Sequence, residues 1–177
     1  MSRTKRIVII GLLVGSGLIL NIIETMIPMS FVVPGAKLGL ANIVNLIGLV
    51  LFGFNGGFLI LILRLLLGSV LIGTFMTISF YLSLSGGIIG YLMMGLTYYF
   101  FKKKFSLLSI SVIEAVFHNI GQILMAYIII NNICIFYYLL YLVLLVVPTG
   151  IGVGVISYFT LKNLPHDQQL EGNYGSK

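Results

Sequence analysis

Long apolar runs occupy most of the chain, and polar residues, glycines and prolines interrupt them at intervals that mark out membrane helices. Six apolar runs stand out, at residues 7–27, 37–52, 58–75, 78–101, 107–130 and 133–161. A helix rising 1.5 Å per residue needs ~20 residues to cross a hydrocarbon core roughly 30 Å thick. By that measure 37–52 is short for a crossing and the others are adequate. The breaks between runs carry turn chemistry: Pro28 and Pro34, the Gly-Phe-Asn-Gly-Gly stretch from Gly53, the lysines at 102–104, and Asn131–Asn132. Pro148 and three following glycines mark a bend inside the last run. The pattern predicts an all-α integral membrane protein with one six-helix domain over residues 1–164 and a polar, disordered tail over 165–177.

Composition agrees with that reading. Charged residues make up only 8% of the 177 residues and mean hydropathy is +1.16. A soluble domain needs roughly 25% charged residues to cover its surface. The formal net charge is +6, and eight of the ten basic residues are Arg3, Lys5 and Arg6, Lys102 to Lys104, and Lys162 and Lys177. Six spans with both termini cytoplasmic place all of these on the inner face, as the positive-inside rule requires, and leave Lys37 outside. The Gly53–Gly57 turn becomes an inner connection. No basic face with interleaved aromatics exists outside the membrane runs, so nucleic acid is excluded as a partner. One cysteine, Cys134, excludes an intrachain disulfide. The basic, then apolar, N-terminus has no small-residue cleavage site and reads as an uncleaved first span.

Candidate chemistry lies in the polar residues that the apolar runs retain. Glu114, His118 and Gln122 recur every four residues and share one helix face, with Asn119 beside it. Groups of this kind cost several kcal/mol at bilayer depth unless they face a protein interior, a partner or a water-filled cavity. Lys37, Asn42 and Asn45 open the second run, Arg64 lies within the third, and Glu24 closes the first. The simplest role for Arg64 is pairing with Glu114 or Glu24 to pin helices. The four groups around His118 exceed what one ion pair needs and suit a polar small molecule. No phosphate-cradling glycine loop is present, and the only aspartate, Asp167, lies in the tail, so neither ATP binding nor magnesium-dependent prenyl transfer is expected. No metal set and no cofactor are expected, and the chain does not read as an enzyme. Gly11 and Gly15 form a small-xxx-small face that lets another helix approach closely, either within this chain or from a partner.

The blocks PGAKLGLANIVNL, Arg64, SLSGGIIGYLMMG and EAVFHNIGQ resemble the Gx transporter family, many of whose members carry the older label heptaprenyl diphosphate synthase component I. That family resembles the substrate-binding S components of energy-coupling-factor (ECF) transporters. The resemblance implies a six-helix bundle taking up a vitamin-like or anionic micronutrient across the bacterial cell membrane. It also implies a transmembrane coupling protein and two ATPases as partners. It assigns Lys37, Asn42, Arg64, Glu114, His118, Asn119 and Gln122 to ligand binding, Gly11 and Gly15 to docking, and the linker from Met29 to Pro34 to a lid. The older label implies an alternative: a non-catalytic membrane component associated with prenyl diphosphate or quinone synthesis, or with membrane redox chemistry.

Overall fold

The computed structural model describes residues 3–26, 39–101 and 104–163. Their regular structure is helical throughout: α1 (Arg3–Met26), α2 (Asn42–Ile72), α3 (Ile78–Phe101), α4 (Leu107–Ile130) and α5 (Tyr137–Lys162). A 3-10 turn, Ile133–Phe136, leads into α5. All five regions are long and apolar enough to cross a membrane. Large apolar side chains stay exposed along them, among them Ile7 and Leu12 on α1, Ile128 on α4, and Leu140 and Leu144 on α5. Such surface is stable against lipid and not against water. The chain is an all-helical, multi-pass membrane protein.

The expected spans at 78–101 and 107–130 coincide with α3 and α4. Ser106 starts α4 by accepting the Ser109 amide, and Asn131 ends it in the left-handed region at φ 50. Asn132 then accepts the Cys134 amide at 2.9 Å, which starts the 3-10 turn and delays α5 to Tyr137 instead of 133. Lys37, the Met29–Pro34 linker and the tail 165–177 lie outside the described residues.

The six-span expectation changes at α2. The runs 37–52 and 58–75 fall in this single element, which begins at Asn42, ends at Ile72 and breaks at Gly53 (φ 72, ψ −172). There the chain doubles back. A Cβ built on Gly48 would sit 3.4 Å from the Gly57 Cα, although nine residues of straight helix span ~13 Å. Arg64 Nη2 likewise reaches Asn42 Oδ1 at 3.4 Å, where a straight helix would separate them by ~33 Å. The first arm, 42–52, is only ~16 Å long, about half the hydrocarbon thickness. It is buried along its whole length up to Leu51, which is why it carries nearly unbroken apolar sequence.

Two tyrosines from α3 stabilise the break. Tyr91 Oη donates to the Phe54 carbonyl at 2.8 Å, and Tyr99 Oη accepts the Phe54 amide at 3.2 Å. The Phe54 amide and carbonyl, next to the break, thereby gain side-chain partners from α3. Arg6 lies beside the same corner, its guanidinium carbon 5.7 Å from the Phe52 ring centroid. Replacing Gly53 by Ala forces an L-residue into a region that only glycine adopts freely, at a cost of about 1–3 kcal/mol. A clearly lowered melting temperature in detergent is the expected result; an unchanged one would argue against the break.

Helix contacts elsewhere use small residues, as expected where lipid removes the hydrophobic drive between helices. A Cβ on Gly121 of α4 would stand 2.9 Å from the Gly86 Cα of α3, and one on Gly154 of α5 would stand 2.7 Å from the Leu108 Cα of α4. Ser85 Oγ adds a bond to the Gly121 carbonyl at 2.8 Å. The central core joins Leu46 and Leu49 of the first arm of α2 to Leu61 of the second, Tyr91 and Met94 of α3, and Ile110 of α4. α1 packs chiefly along α2.

Candidate functional site

Away from the Gly53 corner the helices line a cavity of about 110 Å³. One water needs roughly 10–15 Å³ on a comparable scale, so there is room for several waters or a small solute. All five helices contribute wall residues: Asn21 and Glu24 from α1, Asn42 and Arg64 from α2, Ser79 and Ser83 from α3, Glu114 and His118 from α4, and Gly150 from α5.

Arg64 is the centre of this wall. Its stem crosses the face of α1 at Gly17, where a Cβ would lie 2.7 Å from the Arg64 Cδ. The fold of α2 brings it to Asn42, whose side chain also hydrogen-bonds Glu114. The amide thus links the guanidinium on α2 to the carboxylate on α4. Arg64 interacts electrostatically with Glu114 and, less strongly, with Glu24. Glu24 Oε1 accepts the Gly39 amide at 2.6 Å, tying the end of α1 to the approach to α2. Arg64, Glu114 and Glu24 are 5%, 2% and 8% exposed, so all three charges are held out of bulk solvent. Arg64 Nε and Ser111 Oγ, both buried in wall residues, make no hydrogen bond among the described residues.

Five of the expected binding residues meet at the cavity: Asn42, Arg64, Glu114, His118 and Asn119. Asn119 also donates to the Leu142 carbonyl of α5 at 3.3 Å, so it joins helices as well as lining the space. Gln122 does not reach the cavity; its Cγ packs 2.7 Å from the position a Gly86 Cβ would take. Lys37 lies outside the described residues. The sequence reading did not single out Ser69 and Ser111. Ser111 precedes Glu114 by three residues and so belongs to the same helix face, a spacing that was visible.

Asn45 is buried behind the cavity wall and not in it. Gly11 and Gly15 lie on the outer side of α1, where an added Cβ would meet nothing within 4 Å. Among the described residues their small-residue face therefore packs against no other helix of this chain. No group of three His, Cys, Asp or Glu residues lies close enough to hold a metal ion among the described residues. The wall offers donors, acceptors and buried charge, which are the means of holding a solute.

Residues 13–160 match the family model described as heptaprenyl diphosphate synthase component I. The curated proteins and the solved structures gave no match. With most of its length covered by that model, and the described polar wall lying wholly inside the matched region, the chain belongs to the heptaprenyl diphosphate synthase component I family.

Proposed function

We propose that this chain is the solute-binding membrane subunit of an ECF-type transporter that takes up a small polar micronutrient into a bacterial cell. The observation that carries this reading is the cavity: five apolar helices bring polar groups together around one space. Burying a guanidinium and two carboxylates in a membrane bundle costs several kcal/mol, and a solute site gives that cost a use. In this reading both termini, the Gly53 corner and the α3–α4 connection face the cytoplasm, because Arg3, Lys5, Arg6, Lys104 and Lys162 lie there. The cavity then opens toward the outside. The α2 hairpin supplies the second and third of six membrane segments, the second being too short to cross alone.

The chain itself performs no catalysis in this scheme, and a transmembrane coupling protein with two ATPases supplies the energy. Gly11 and Gly15 on the open side of α1 would seat that coupling protein. The family description supports a second reading, in which the chain is a non-catalytic component beside a prenyl diphosphate synthase. Purification from native membranes in mild detergent, with identification of the co-purifying proteins, separates the two. Recovery of a coupling protein with two ATPases is expected. Gly15→Leu should lose those partners while leaving the melting temperature within about 0.5 kcal/mol equivalent of the parent, because the site is open. Recovery of a prenyl synthase without any ATPase would overturn the transport reading.

A further inference from the structure

Among the described wall residues Ser79 alone is exposed, so the cavity comes to the surface there. Ser79 lies in the first turn of α3, just after the α2–α3 turn at residues 73–77. The next residue, Phe80, also lines the cavity but is only 6% exposed, with its ring centroid 5.2 Å from that of Phe75. The turn that leads to this point holds a strained residue. Met76 has φ 60, in the left-handed region that residues other than glycine, asparagine and aspartate seldom take. Strain of this kind persists only where the surroundings hold it, and it collects at ligand clamps and switch segments. The bonds that hold it are local. The Thr74 and Phe75 amides donate to the Ser69 carbonyl at 2.8 and 3.1 Å, and Thr77 Oγ1 donates to the Thr74 carbonyl at 2.6 Å. Tyr81 Oη donates to Met76 Sδ at 3.3 Å. None of these bonds reaches α1, α4 or α5, so the turn can shift while the Asn42 links to Arg64 and Glu114 stay made.

Resting on the solute-binding reading above, we propose that the α2–α3 turn is the gate of the cavity and that Phe80 is its plug. The structure is the closed form, with Met76 held at φ 60 and Phe80 buried beside Ser79. Opening lets Met76 return to negative φ, and the turn then draws Phe80 and the start of α3 away from the cavity. Release of the Met76 strain offsets part of the cost of breaking the local bonds, which suits a segment that must open repeatedly.

The test uses the full-length protein in detergent, carrying Cys134→Ser and Ser111→Cys so that its one thiol lies in the cavity wall. Methyl methanethiosulfonate is the probe, and mass spectrometry reads the labelling rate. Phe80→Ala is expected to raise that rate at least about tenfold, because accessibility follows the population of the open form. Met76→Asn, which accepts the left-handed region, should slow labelling about threefold, whereas Met76→Val, branched at Cβ, should speed it by a similar factor. Should Phe80→Ala fail to fold, the opposite shifts of the two Met76 variants carry the test alone. Equal rates in the parent and both Met76 variants would overturn the gate, as would a thiol that stays unlabelled in every variant. Gate responses in a protein that co-purifies with a prenyl synthase and no ATPase would leave the gate standing and remove the transport reading, so the two failures are distinct.

Discussion

Replacing Arg64 by Met is expected to destabilise the protein by about 3–5 kcal/mol, the largest effect of any single change at the cavity. The substitution keeps most of the side-chain volume but leaves Glu114 and Glu24 buried without the guanidinium that acts on both. It also leaves the Asn42 carbonyl oxygen without its donor. The charge effect is separable from packing. Adding Glu114→Gln to Arg64→Met removes a carboxylate that the guanidinium had balanced, so the double variant should recover part of the loss. Thermal unfolding of the detergent-solubilised parent, single and double variants measures this directly. An Arg64→Met protein as stable as the parent would mean that the guanidinium contributes no net pairing energy.

Gly57→Ala should rival that loss through a purely steric route. A Cβ there would lie 2.8 Å from the Leu49 amide nitrogen and 3.1 Å from the Gly48 carbonyl carbon, and would collide with the Tyr91 hydroxyl. The first two are backbone atoms of the opposing arm and cannot turn aside, so the arms of α2 must separate. Overpacking of this kind costs about 1–3 kcal/mol. Displacing Tyr91 from the Phe54 carbonyl adds about 1 kcal/mol more. Separating the arms also draws Asn42 away from Arg64, so solute binding should fall together with stability. Gly11→Ala is the control, since nothing stands within 4 Å of its Cβ and no change is expected. Equal melting temperatures for the Gly57→Ala and Gly11→Ala proteins would refute the close packing of the two arms.

The sequence by itself determined the helical membrane class of this protein and the bounds of α3 and α4. Apolar runs of membrane length leave little alternative to helices, because every backbone amide must find its partner inside the segment. Local signals then set the ends: Ser106 before α4 and the Asn131–Asn132 pair after it act through their own side chains and dihedral angles. Asn42, Arg64, Glu114, His118 and Asn119 were legible as a group because charge and amides are rare in such runs and costly there.

Tertiary structure alone decided which of these residues share a space. Helical periodicity fixes the angle of a side chain about its own axis but not its height against neighbouring helices. Glu114, His118 and Gln122 therefore occupy one face in sequence, yet the cavity ends before Gln122, which meets Gly86 instead. The meeting of Arg64 with Asn42 depends on the reversal at Gly53, a long-range contact that neither residue's neighbourhood encodes. The same reversal explains why two apolar runs became one hairpin: the shorter arm cannot span the membrane and is covered by the rest of the bundle. Whether a glycine face turns outward, as at Gly11 and Gly15, or inward, as at Gly17, is likewise fixed only when α2 packs against one side of α1 and leaves the other open.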